Sequence, residues 1–148
     1  MTWLPKKSVV VPVDFSDSSI AAVRVALELV ESPSEVHIVY VTQPIHVAEP
    51  GMLWGTITDD ARMETSTKAL AERLEKESIA GVTTKVVLGQ PAHMIADYAE
   101  ETKADLIVIP SHGRSGVTRF FLGSVTEKVL RMANCQVLVL RADETNAK

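Results

Sequence analysis

Ser111 to Glu127, SHGRSGVTRFFLGSVTE, contains three of the chain's seven glycines (Gly113, Gly116 and Gly123) together with Arg114 and Arg119, in a protein whose formal charge is −4. No Asp or Glu lies between Leu106 and Thr126 to cancel the two arginines. Glycine lets a backbone approach oxygen atoms closely, and a helix starting near Ser124 offers free N–H groups and the positive end of its dipole to an anion. The chemistry indicated is phosphate binding. A ligand-free alternative stands beside it: Ser124-Val125-Thr126-Glu127 reads as an S-x-x-E capping box, with Ser124 as the N-cap, contributing about 1 kcal/mol to a helix start. The residue types alone leave both readings open.

Several common site motifs are excluded. The stretch is not GxxxxGK[ST] and lacks GxGxxG. Gly113-Arg114-Ser115-Gly116 places its second glycine one position too early for the GxSxG nucleophile elbow. The GxxG of RNA-binding modules belongs in a different setting from a loop leaving a parallel strand in an acidic protein. No partnered nucleophile or carboxylate is visible beside His112, so a hydrogen-bonding role is expected rather than acid–base chemistry. His37, His46 and His93 are spaced without a metal-ligand pattern. Cys135 is expected to be a small buried apolar residue.

The elements that must position this loop follow from apolar patterning. Ser8 to Val13, Glu35 to Thr42, Thr84 to Leu88, Asp105 to Ile109 and Gln136 to Leu140 are short runs rich in Val and Ile, which predicts five strands. Ser16 to Glu31, Asp59 to Ala80, Pro91 to Lys103 and Ser124 to Ala133 carry helical spacing, as in Ile20, Val23, Ala26, Leu27 and Val30. Strict alternation predicts an open parallel sheet with helices on both faces and the first and fourth strands, apolar on both sides, in the middle. Ligands in such sheets bind beyond the strand carboxyl ends where the winding reverses, which is where DFSDSS and the glycine-rich loop both begin. Gln43 to Thr58 is a long connection containing Ile45, Val47, Met52, Leu53 and Trp54, expected to be either a lid or contact surface or a loop packing its own side chains on the domain. Asp143 to Lys148 is expected to fray.

Composition sets the outer limits. The 148 residues suit a single domain over 1–148, 46% of them apolar and 23% charged, the balance of a globular protein rather than a disordered or fibrous one. An acidic chain is a poor general binder of nucleic acid or anionic membrane. The single cysteine, the lack of a leader-like apolar run at the start and the absence of a run near 18 apolar residues predict a cytoplasmic protein outside the membrane.

With these residues in view, VVVPVDFSDSS, VHIVYV and GQPAHMIADYAEETKADLIVIPSHGRSGVTRFFLGSVTEKVLRMANCQVLVLR together resemble the universal stress protein family over nearly the whole chain. The resemblance implies a five-stranded parallel sheet in the order 3-2-1-4-5, a Rossmann-like arrangement. It also implies ATP held by a G-x2-G-x9-G-[S/T] loop, which Gly113, Gly123 and Ser124 match. Pro110 stands where that pattern has its first glycine. Proline has no N–H and fixes φ, so a donor at that position is unavailable; a charge-assisted hydrogen bond is worth about 1.5–3 kcal/mol, or roughly ten- to hundredfold in affinity.

By the same resemblance Asp14 lies at the base and ribose end with Pro12 and Val13 as its wall, and the Val41 backbone meets the adenine edge. Ile109 and Pro110 end the fourth strand beside Ser111, His112, Arg114, Val125 and Thr126 at the phosphate end. Asp14 also reads locally as an Asx-type cap beside Ser16. The expected ligand is ATP, ADP or AMP, with Mg2+ accompanying the nucleotide, and the expected assembly is a homodimer through the edge strand 136–140. Three functions follow in order: a nucleotide-binding regulator without dedicated catalytic residues, an oligomeric interaction protein that has lost tight nucleotide binding, and a slow ATP hydrolase.

Overall fold

The computed structural model describes residues 2–44, 58–111 and 122–141. Five strands, β1 (Val9–Val13), β2 (Val36–Thr42), β3 (Thr83–Leu88), β4 (Leu106–Pro110) and β5 (Gln136–Leu140), form one parallel sheet in the order β3-β2-β1-β4-β5. Four α-helices connect them: α1 (Asp17–Glu28), α2 (Asp59–Lys76), α3 (Pro91–Glu101) and α4 (Ser124–Met132). The sheet order and the central placing of β1 and β4 are those expected, and both strands are buried along their whole length. Parallel strands covered on both faces have no wet side, which is why VVVPV and LIVIP carry no alternation.

Successive side chains of a strand point to opposite faces, and this sorts the core into two layers. Val9, Val11, Leu106 and Val108 pack with Ile20, Val23 and Ala26 of α1 and Leu70 and Leu74 of α2. Val10, Ile107 and Ile109 pack with Ile95, Tyr98 and Ala99 of α3 and Val129 of α4.

Each helix stops earlier than its apolar pattern. In α2 the chain turns at Ser78, which has φ 60°, and the Ile79 N–H returns to the Leu74 carbonyl at 2.9 Å. In α3 the turn is at Lys103, φ 54°, with the Ala104 N–H on the Ala99 carbonyl at 2.8 Å. Both are left-handed helix ends whose following apolar residue mimics another helical turn in sequence. α1 ends at Glu28 because the Leu29 carbonyl accepts from the Lys6 N–H (2.8 Å) and Val30 pairs with Lys6. Among the described residues no helix is long and apolar enough to cross a membrane.

One buried polar atom has a pH consequence. His37 on β2 sets its ring against Tyr98, centroids 6.1 Å apart, and its Nδ1 has no hydrogen-bond partner among the described residues. Burial lowers its pKa below 6.5, since the imidazolium would be desolvated. The unfolded chain therefore takes up this proton more readily than the folded one. The associated stability is present above about pH 6.5 and is lost as pH falls through the lowered folded value. The urea midpoint is expected to be lower at pH 5 than at pH 7.5, with His37→Gln flattening part of that difference. An acid loss of the same size in the variant would assign it to other groups.

Candidate functional site

The sheet opens at its carboxyl edge between β1 and β4. These strands pair at Val9↔Leu106 and Val10↔Ile107 and their ladder goes no further. The β1–β2 and β4–β5 ladders, by contrast, run on to Val13 and to Pro110. Pro12 and Pro110 have no N–H to give, so two prolines in central strands mark the place where pairing ends. Pro110 closes β4 instead of following it, one residue beyond the expected end at Ile109. The Ser111 N–H donates to the Leu140 carbonyl at 2.7 Å, toward β5. The alternation of a strand then turns the Pro110 nitrogen the other way, toward β1, where no ladder remains to be broken.

Into this gap comes the start of α4. The Gly123 N–H donates to the Ser111 carbonyl at 2.8 Å, and the buried Thr126 Oγ1–H donates to the Pro110 carbonyl at 2.8 Å. The helix is thereby pinned to the end of β4. Its N-cap is Gly123, at φ −64° and ψ 154°, with no side-chain capping bond. This corrects the capping box expected at Ser124. Ser124 is already the first helical residue, and Glu127 turns away to meet Arg131 Nη2 at 2.7 Å. The first N–H groups of the helix, at Ser124, Val125 and Thr126, have no intrahelical acceptors. A helix left in this state presents donors and a positive dipole end to whatever lies in front of it.

What lies in front is a cavity of about 340 Å³, within the range of small-ligand sites. Pro12, Val13, Asp14 and Val41 line it from β1 and β2; Ile109, Pro110, Gly123, Ser124, Val125 and Thr126 line it from β4 and α4. The two halves of the expected site, nearly 100 residues apart in sequence, therefore face one space. Ser111 is buried beside the cavity rather than in its lining, holding α4 through its carbonyl. His112, Gly113, Arg114 and Arg119 lie outside the described residues, as do most of the connection from Gln43 to Thr58 and the segment Asp143 to Lys148.

Ser19, Val39, Tyr40, Pro91 and Ile95 also line the cavity and were not among the expected site residues. Pro91 and Ile95 are four residues apart on α3, so one helical face supplies both. Their signal in sequence was only the GQP turn before a helix.

Asp14 carries the local role expected for it. Its Oδ1 accepts from the Ser16 N–H at 3.1 Å and from the Ser16 hydroxyl at 2.5 Å, while Ser16 caps α1 by accepting from the Ser19 N–H at 3.2 Å. Among the described residues no group of three His, Cys, Asp or Glu is arranged to hold a metal. Cys135 is half-buried rather than buried, and burial pushes its thiol up, away from the thiolate.

The fold and this cleft define a doubly wound α/β protein with a ligand-sized opening at its topological switch point. The chain belongs to the universal stress protein family, whose family model matches residues 6–141. It is 34% identical over 140 residues to universal stress protein MJ0531 of Methanocaldococcus jannaschii, covering 91% of this chain and 82% of that one. It is also 34% identical over 143 residues to universal stress protein YxiE of Bacillus subtilis, covering 88% and 96%.

Among solved structures it resembles universal stress protein UspA from Lactobacillus plantarum, with TM-score 0.69, 26% identity and coverage of 91% and 97%. A universal stress protein from Archaeoglobus fulgidus in complex with dAMP matches with TM-score 0.62, 26% identity and coverage of 95% and 100%. A third, in complex with cAMP, matches with TM-score 0.58, 26% identity and coverage of 93% and 98%.

Proposed function

We propose that this protein binds an adenine nucleotide in the β1–β4 cleft and that the bound nucleotide, acting as a signal rather than as a substrate, sets its surface or assembly. The observation that carries the reading is the uncapped N-terminus of α4 standing across a nucleotide-sized cavity from Asp14. The apolar wall of Val39, Val41, Ile95 and Ile109 suits a base, Asp14 suits a ribose hydroxyl, and the N–H groups of Ser124 to Thr126 suit a phosphate. The dAMP and cAMP complexes of similar proteins support the ligand class. With ATP, any Mg2+ is bound chiefly through the phosphates, because the described part of the cleft offers Asp14 as its single carboxylate. Titration calorimetry of purified, nucleotide-free protein with ATP, ADP and AMP tests the reading; saturable one-to-one binding supports it, and no heat at millimolar ligand refutes it.

Pro110 favours a second reading, an interaction protein of the same fold without tight nucleotide binding, because its nitrogen faces the cleft and donates nothing. The two readings share an assembly. β5 is an edge of the sheet, half-exposed from Val137 to Leu140, and its outer backbone groups have no neighbouring strand among the described residues. Such an edge invites a second copy. Val139→Lys is expected to move sedimentation toward the monomer without unfolding the domain. A sedimentation coefficient equal to the wild type's would place any self-association elsewhere.

A further inference from the structure

The turn from β1 into α1 contains a conformational oddity beside the cleft. Phe15 has φ 66°, a left-handed conformation that a bulky L-residue adopts only when something holds it there. Its ring packs edge-on against Tyr40, centroids 4.9 Å apart, and its carbonyl accepts from Arg73 Nη1 at 2.8 Å.

Arg73, four-fifths buried on α2, makes three directed contacts at once: Nη1 to the Phe15 carbonyl, Nη2 to Asp17 Oδ1 at 2.8 Å, and Nε to Glu77 Oε2 at 2.9 Å. It therefore grips the residues on both sides of Ser16, whose N–H and hydroxyl both donate to Asp14. Glu77 also meets the half-exposed Arg24 at 2.9 Å. Those hydrogen bonds, Arg73's first, hold the Glu77 carboxyl below its usual range.

We propose that Arg73 is a positioning residue for the cleft: by fixing the left-handed turn at Phe15 it presents Asp14 to the bound nucleotide, and so couples α2 to nucleotide affinity. The proposal rests on the cleft being the nucleotide site. The planar fork is essential to it, because an ammonium cannot reach a carbonyl and two carboxylates in three directions with fixed geometry.

The test combines nucleotide titration with amide hydrogen exchange in the turn from Asp14 to Ser19. Arg73→Ala and Arg73→Lys are both expected to weaken AMP binding at least about tenfold, consistent with loss of a charge-assisted hydrogen bond, and to speed exchange of the Ser16 and Ser19 amides. Arg24→Ala, which removes a partner of Glu77 but touches nothing in the turn, is expected to keep affinity within about threefold of wild type. In a Phe15→Gly background, where the left-handed conformation needs no support, Arg73→Ala is expected to accelerate exchange much less than it does alone.

Arg73→Lys with wild-type affinity and wild-type exchange overturns the proposal, as does an Arg24→Ala loss equal to that of Arg73→Ala. If Arg73→Ala fails to fold, Arg73→Lys and the exchange data decide. If the wild type itself binds no nucleotide, the functional reading fails, and exchange alone judges whether Arg73 holds the turn.

Discussion

Gly123→Val is expected to weaken ATP binding roughly hundredfold while leaving the circular dichroism spectrum and the oligomeric state unchanged. Gly123 sits at φ −64° and ψ 154°, extended backbone that valine adopts without strain, so the fold has no reason to object. What changes is the cavity. A branched side chain at a lining residue immediately before Ser124 stands between the ligand and the N–H groups at the start of α4, removing one or two charge-assisted hydrogen bonds worth about 1.5–3 kcal/mol each. Ser124→Ala is the informative companion. Because Ser124 is not the cap, its substitution is expected to leave the melting temperature within about a degree of wild type rather than to cost the ~1 kcal/mol of a lost cap. Calorimetric titration and thermal melts of both variants check this pair. Wild-type affinity in Gly123→Val would show that this helix start makes no phosphate contact.

Pro110→Gly is expected to act in the opposite direction, tightening ATP by about ten- to hundredfold. The substituted residue gains an N–H on the side of β4 that faces β1 and the cleft, since the Ser111 N–H is already committed to β5. The Thr126 bond to the residue 110 carbonyl does not depend on the side chain and survives. Glycine also loosens the unfolded chain, so a stability loss of about 0.4–1 kcal/mol accompanies the gain and should be measured by urea unfolding beside the titration. A folded Pro110→Gly protein that binds no better than wild type would mean that no phosphate lies within reach of this nitrogen. A wild type already tight enough to match it would mean that the cleft has another donor in its place.

The parts of this fold that were legible in sequence are those governed by local pattern. VVVPV and LIVIP announce central parallel strands because a strand buried on both faces has no use for a polar residue, and both prove buried throughout. β5 is legible because Val137 to Leu140 is an uninterrupted apolar run set between Gln136 and Arg141. Asp14 was placed at the site by the family resemblance and the Gly123–Ser124 step by a glycine before a helical pattern, and all three residues line the cavity.

What was not legible depends on geometry that letters do not encode. Ser124 and Glu127 have the spacing of a capping box, but the Gly123 N–H bond to Ser111 begins the helix one residue early and takes Ser124 out of the cap position. Pro110 reads as a strand terminator, yet it remains in β4 because the neighbouring ladder has already ended on the side where its N–H would have been needed. The Arg73 contact with Phe15 spans 58 positions and has no periodic signature at either end. Tyr40, next to the expected Val41, enters the cavity lining because the strand reaches the open edge of the sheet, where both faces meet the cleft.

The central claim is that one nucleotide lies between Asp14 and the first turn of α4, and the most direct measurement is difference density from crystals grown with saturating ATP or AMP. The account predicts a single nucleotide per chain, with its ribose within hydrogen-bond distance of Asp14 and a phosphate oxygen accepting from the N–H groups of Ser124 to Thr126. An empty cleft at saturating nucleotide, or a nucleotide bound elsewhere on the surface, would contradict it.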